Sequence, residues 1–296
     1  QARGYIPPEL WDNGINAGLL NYNFTGNNVD NAVGGSSQYA YLNLQSGVNL
    51  GAWRLRDNST WSYTSGGSSA SNENKWQHVN TWLERDITPI RSRLTLGDSY
   101  TNGDVFDGIN FRGAQLASDD NMLPDSQKGF APVIHGIARG TAQVSIRQNG
   151  YEIYQSTVPP GPFTLQDVYP SGYGSDLEVS VKEADGSVEV FSVPYASVAQ
   201  LLRPGMTRYA LSAGKVDDSA LRNKPMLYQA TWQHGINNLL TGYTGVTGFD
   251  DYQAFLVGTG MNTGIGALSF DVTHSRLKSD THDDSGQSYR ATFNRM

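Results

Sequence analysis

Leu268, Phe270 and Val272 alternate with Ser269, Asp271 and Thr273 along one stretch of the chain. The same two-residue rhythm recurs at Tyr228–His234, where Tyr228, Ala230 and Trp232 oppose Gln229, Thr231 and Gln233. It recurs again where Tyr289, Ala291 and Phe293 oppose Arg290, Thr292 and Asn294. A period of two belongs to the β-strand, and it gives each strand one apolar and one polar face. Repeated with many aromatics and few charges, it predicts a membrane barrel whose outer face meets lipid and whose inner face meets water.

Composition agrees. Hydrophobic residues make up 38 % of the 296-residue chain, low for a soluble core, and charged residues only 17 %. The 33 Gly and 16 Tyr suit strands and turns rather than helices. Mean hydropathy is −0.45, yet a barrel needs only alternate residues to be apolar. No stretch approaches the roughly 20 apolar residues of a spanning helix. No basic-then-apolar start marks a signal peptide, and opening at Gln1 reads as a mature or excised segment. Without Cys there is no disulfide framework. A net charge of −7 argues against nucleic acid as the main partner.

From Gln38 to Tyr100 the chain reads strand, turn, strand. Ala40, Leu42 and Leu44 share a face, Gln45–Gly47 offers a turn, and Trp53 and Leu55 share the next face before polar Asp57, Asn58 and Ser59. Thr64–Asn74 reads as a flexible polar loop, Trp76–Arg85 as a strand with mixed faces, and Leu94 and Leu96 mark another strand. The middle differs. Thr141–Gln148 and Tyr151–Val158 flank Asn149-Gly150, the strongest short hairpin signal because a type I′ turn needs two residues at positive φ. That turn sets Ile146 against Ile153, with Ser145, Arg147, Glu152 and Tyr154 on the other face. A second hairpin, Leu177–Glu183 and Val188–Val193 around Asp185-Gly186, would set Val181 against Val190 and Lys182 against Glu189. Between them, Pro159-Pro160-Gly161-Pro162-Phe163 is a stiff connection barred from a central strand. The pattern predicts three parts: barrel strands over 1–131, a compact β-sandwich over 132–204, and further barrel strands over 205–296. Some 220 residues outside the sandwich give about 12 strands, whereas a lumen holding a folded domain needs about 20 or more. The barrel is therefore expected to be incomplete here, since a half-barrel would leave two open edges in lipid.

Longer runs carry a resemblance. Leu96-Gly97-Asp98, Phe106–Gly113, Leu116–Asp125, Gly129–Pro132 and His135–Ala138 resemble the outer-membrane fimbrial ushers of the chaperone–usher pathway. So do Leu10-Trp11-Asp12, Gly14–Ala17, Asn21-Tyr22-Asn23, Asn149-Gly150, Pro159–Phe163 and Glu183–Gly186. The likeness covers essentially the whole chain and is nearest to the type 1 pilus ushers of enterobacteria. It implies an all-β fold: the N-terminal portion of a transmembrane β-barrel of about 24 strands, interrupted after the sixth by a β-sandwich plug that blocks the pore at rest. It implies a multi-pass protein of the bacterial outer membrane, in contact with outer-membrane lipid. Its partners would be periplasmic chaperone–pilus subunit complexes and pilus subunits in the lumen; pairing with another usher protomer is left open. Subunits would join by donor-strand exchange, a strand-packing process that needs no cofactor, and no Gly-x-x-x-x-Gly-Lys-Ser/Thr loop is present.

On that reading Gln229, Thr231, Gln233, Ser269, Asp271 and Thr273 line a wet lumen. Candidate plug and gating residues are Arg147, Asn149, Gly150, Glu152, Pro160, Gly161, Pro162, Phe163, Lys182 and Glu189, with Pro159–Phe163 fixing the sandwich. Ser118, Asp119, Asp120 and Pro124 would form the linker leading into the plug. Trp53, Trp61, Trp76, Trp82 and Trp232 are candidates for interfacial girdles. Rival readings are weaker. Paired acids at Asp119-Asp120, Asp217-Asp218, Asp250-Asp251 and Asp283-Asp284 could suggest a glycan hydrolase, but neighbours on a strand point to opposite faces. The five His show no metal-ligand spacing. A plugged nutrient transporter would place its plug before the barrel, and a soluble carbohydrate-binding sandwich would need no detergent.

Overall fold

The computed structural model describes residues 4–32, 35–66, 72–124, 127–170, 175–195, 197, 200–217 and 223–295. Twelve strands form one antiparallel sheet. Its first half is β1 (Ala17–Asn31), β2 (Gly35–Leu50), β3 (Trp53–Ser65), β4 (Glu73–Ile87), β5 (Ser92–Tyr100) and β6 (Asn110–Ser118). Six further strands, β7–β12, lie elsewhere. The sheet then resumes with β13 (Thr207–Val216), β14 (Met226–Gly235), β15 (Leu240–Phe249), β16 (Tyr252–Thr263), β17 (Gly266–Lys278) and β18 (Asp283–Arg295). β6 pairs directly with β13, so the sheet continues across the interruption. Among the described residues β1 and β18 each pair on one side only.

The sheet's exposure is inverted relative to a soluble fold. On β14, Trp232 is 47 % exposed while its neighbour Gln233 is 1 %. On β17, Phe270 is 45 % exposed and Asp271 2 %. Tyr228, Val246, Phe255, Val257, Tyr289 and Phe293 also lie bare, whereas Gln229, Thr231 and Ser269 are covered. Cross-strand pairing carries one apolar row outward through Trp232, Thr244, Val257, Val272 and Tyr289. β1–β4 run 13–16 residues, and towards the ends of the shorter β5 and β6 Asp98 holds Arg112 on the outer face with a bond of 2.7 Å. Connections of few residues (51–52, 88–91, 236–239, 264–265) lie at the end from which the interruption leaves. Half of the connections at the other end are longer (66–72, 101–109, 217–225).

β7 (Ile134–Ala138), β8 (Ala142–Gln148), β9 (Tyr151–Val158), β10 (Gly161–Leu165), β11 (Leu177–Glu183) and β12 (Val188–Val193) form the inserted unit. Its sheets are β12-β11-β8-β9 and β10-β7. Here the same period runs the ordinary way. Ala142, Val144 and Ile146 of β8 and Leu177, Val179 and Val181 of β11 point into a dry core with Ile134, Phe163, Leu165 and Val168. Fully burying a side chain such as Ile146 stabilises by about 1.5–3 kcal/mol. The core depends on one bare position: a Cβ at Gly136 would lie 2.2 Å from Cζ of Phe163.

Several local expectations need correction. Gln45–Gly47 is not a turn but the interior of β2, and the chain reverses at Gly51, whose φ is +59°. Gly47 serves close packing instead: a Cβ there would sit 2.7 Å from Nη1 of Arg56 and 2.9 Å from Cδ1 of Leu19. Asp57, Asn58 and Ser59 lie within β3. Asn149 and Gly150 do take positive φ (+52° and +81°), but a bulge at Ile153 re-phases β9. Ile146 then faces Tyr154, which turns inward and is buried, while Arg147 faces Glu152. In the second hairpin the loop has three residues rather than two. Gly186 N–H donates to Glu183 O and Glu183 N–H to Ser187 O, with Gly186 at φ +88°. The register slips by one, so Val181 faces Glu189, Ser180 faces Val190 and Lys182 faces Val188. The Thr64–Asn74 loop falls partly outside the described residues, as do Asp125, Asp218 and Met296.

Candidate functional site: the seat of the inserted unit

Both connections of the inserted unit lie against the polar inner face of the sheet. The leading one starts at Ser118, whose Oγ accepts from Tyr209 N–H at 3.0 Å and lies 3.2 Å from Tyr209 O, tying β6 to β13. Asp119 N–H donates to Arg91 O at 2.9 Å, and the Asp119 carboxylate accepts from Asn121 N–H at 3.0 Å, capping a short 3-10 turn. The two neighbouring carboxylates then part. Asp119 meets Arg93 of β5 at 3.4 Å, and Asp120 meets Arg208 of β13. Arg93 is shared with Asp86 at 2.9 Å and Glu84 at 3.9 Å. Arg208 also reaches Asp104 at 3.6 Å, in the β5–β6 connection. Pro124 closes this run beside a cavity of about 340 Å³ that the N-terminal segment (Tyr5, Ile6, Trp11) also lines.

That β5–β6 connection folds inward. Val105 is fully buried against Tyr243 and Leu256 of the wall, with Phe106 beside them. Arg290 fixes it, donating to Asp271 at 2.9 Å and to Val105 O at 3.1 Å, while Tyr243 Oη donates to Asp271 at 2.8 Å. The polar inner face thus carries a small apolar contact bordered by charge.

The trailing connection sits against the next strands of the same sheet, β14–β18. Beside it Val133, the last residue of the leading connection, donates its N–H to Asn238 of the β14–β15 turn at 2.6 Å and accepts from the Asn238 amide at 3.0 Å. Leu202 N–H donates to Oγ1 of Thr241 at 3.1 Å, and Asn294 donates to Ser197 O at 2.9 Å. Leu201 packs at Gly260, where a Cβ would be 3.0 Å from Cδ2 of Leu201. Tyr195 stacks on Phe130, ring centroids 6.3 Å apart, and donates to Phe130 O. On this side the seat is a scatter of amide and hydroxyl bonds with few apolar contacts.

The residues singled out from sequence divide accordingly. Ser118, Asp119 and Asp120 are in the seat. Asn149 and Gly150 form an exposed hairpin tip, and Pro160 an exposed bend. Gly161 and Pro162 open β10, an edge position compatible with proline, and Phe163 is core. Arg147, Glu152, Lys182 and Glu189 are exposed on the sandwich, and none makes a side-chain hydrogen bond or ion pair among the described residues. Arg93, Arg208, Arg203, Asn238 and Thr241 were not singled out, because their partners are distant in the chain. Among the tryptophans, Trp76 and Trp232 are exposed; Trp82 lies opposite Arg56 on the inner face, so it leaves the girdle set.

Fold and seat together define a class: an outward-apolar β-wall that holds a folded β-sandwich against its polar inner face. A family model described as outer membrane usher protein matches residues 41–296, and one described as PapC N-terminal domain matches residues 1–26. The chain belongs to the outer membrane usher protein family. It is 64 % identical over 299 residues to the outer membrane usher protein FimD of Escherichia coli (strain K12), covering 100 % of this chain and 34 % of that protein. It is 61 % identical to the usher MrkC of Klebsiella pneumoniae, covering 99 % of this chain and 35 % of that one. The chain thus spans about a third of the length of these relatives. Among solved structures, it resembles the translocation pore of the P pilus usher PapC at 34 % identity and TM-score 0.59, over 94 % of this chain and 57 % of that one. It also resembles a chain of the E. coli P pilus tip assembly intermediate PapC-PapD-PapK-PapG at 35 % identity and TM-score 0.72, over 98 % of this chain and 37 % of that one.

Proposed function

We propose that this chain forms the first part of an outer-membrane usher pore that assembles and secretes pilus subunits delivered by a periplasmic chaperone. Residues 1–131 and 205–296 are barrel wall, and 132–204 is the plug that closes the lumen at rest. The remaining strands come from the rest of the parent protein, which also removes the free edges of β1 and β18. Short connections mark the periplasmic end, so both plug linkers emerge there. One observation carries this reading: the wall is apolar outside and polar inside, while the unit seated on its inner face has the reverse, ordinary arrangement.

The pore's work is transport and strand exchange rather than bond-making catalysis. Amides, hydroxyls and paired charges on the inner wall stay hydrated and offer a passing subunit little to adhere to. The plug seat must break without a nucleotide, and scattered neutral hydrogen bonds, each worth about 0.5–1.5 kcal/mol net, and partly exposed ion pairs, each worth about 0–1 kcal/mol, can be exchanged for water. Deleting Pro132–Pro204 from the full-length protein should convert a closed pore into one with large, steady conductance in planar bilayers. A deletion that inserts normally yet keeps the resting conductance would sink the plug assignment.

A further inference from the structure

Two arginines of the seat, Arg93 and Arg208, each hold carboxylates. Arg203 does not. It is 4 % exposed, and among the described residues no carboxylate lies within ion-pair distance. Its guanidinium donates to two backbone carbonyls, from Nη2 to Lys128 O at 3.2 Å and from Nη1 to Gln166 O at 3.5 Å, and its Nε has no partner. Charge-assisted bonds ordinarily run to about 2.7–2.9 Å, so these are weak. Burial pulls its pKa down to about 10, only partly opposed by nearby Tyr195, Asp167 and Tyr169. A cation enclosed in this way loses its water, and among the described residues no carboxylate touches it in return.

The Arg203 backbone lies at the end of the trailing connection, where the chain is tied to the wall. Met206 N–H donates to Arg203 O, Gly205 N–H to Gly235 O at the end of β14, and Gly235 N–H to Met206 O. Gly235 is needed for this approach, since a Cβ there would lie 2.1 Å from Arg203 O. The two acceptors belong elsewhere: Lys128 to the leading linker, Gln166 to the β10–β11 connection of the sandwich. When the sandwich moves, it takes the cover off the guanidinium and leaves the backbone anchor in place.

We propose that Arg203 is a release element: its uncompensated burial raises the free energy of the seated sandwich, and water recovers that cost when the sandwich leaves. The proposal rests on the reading of 132–204 as a movable plug. It explains an arginine at a position where an apolar chain of similar length would fill the space without stranding a charge. Such a device keeps the seat metastable, so that modest binding energy from an arriving partner suffices to open it.

The test uses the full-length protein in planar bilayers, reading resting open probability. Arg203→Met keeps length and removes charge, and should lower open probability by about tenfold. Arg203→Gln, neutral but polar, should lower it too, which separates charge from packing. Arg203→Lys retains the charge and should open at least as often as the unsubstituted protein. Unchanged or increased opening in both neutral variants overturns the proposal and makes Arg203 a latch. The Pro132–Pro204 deletion, run in parallel, separates the two claims. If it stays at resting conductance, the plug reading itself fails; if it conducts while the neutral variants open no less often, only the role of Arg203 fails.

Discussion

Asp119 and Asp120 are neighbours in the chain, yet their carboxylates are claimed by arginines from different strands. The linker is thus pinned at two points of the wall, each partly exposed and each reversible. Such pairs are worth about 0–1 kcal/mol, so Asp120→Asn should raise resting open probability only about two- to fivefold, read as channel events in bilayers. Gly136 acts in the opposite sense, on the integrity of the sandwich itself. Gly136→Ala forces its Cβ onto the Phe163 ring and should destabilise the unit by about 1–3 kcal/mol. Faster proteolysis within 134–193 of the full-length protein would report it, and Phe163→Leu in the same chain should recover part of the loss. The acidic pair of the linker was visible in sequence. Its arginine partners were not, because sequence spacing carries no information about residues joined only by a folded wall.

Strands were legible where alternation was clean and mislaid where loop chemistry decided. Tyr228, Ala230 and Trp232 forecast β14 and its outward face correctly, because side chains on a strand alternate whatever the tertiary context. The register of β11 and β12 turned on one residue: with Gly186 in the left-handed region, Ala184, Asp185 and Gly186 form the loop, and every opposing pair shifts. The bulge at Ile153 had no signal, being set by the need to turn Tyr154 into the core. Gly47 misled because a glycine packed under Arg56 and Leu19 looks, in sequence, like a glycine that turns. At this scale the account makes a sharp prediction from adjacent residues of β17. Val272→Lys puts a charge on the outward row and should cost about 2–4 kcal/mol, whereas Thr273→Lys on the inner face should cost little. Urea titration of the protein folded in liposomes would measure both.

Across the whole molecule, one sequence period is used with two signs. In the sandwich it hides apolar residues in a dry core, and in the wall it displays them. Period alone cannot distinguish these, since both give alternating faces. The distinction came from charge scarcity, aromatic content and the resemblance, and it is realised in the exposure of Trp232 against Gln233. The wall is open at β1 and β18 among the described residues. The chain contains no cysteine, so none of its own 296 residues adds a background label to single-cysteine scanning. The most direct test is to place a spin label at each position from Leu268 to Thr273 in the full-length protein in bilayers. The account predicts alternation, with labels at 268, 270 and 272 contacting lipid-dissolved oxygen and labels at 269, 271 and 273 contacting aqueous relaxant. Equal aqueous access at both sets would contradict it, because the outward apolar face would then not be a membrane surface.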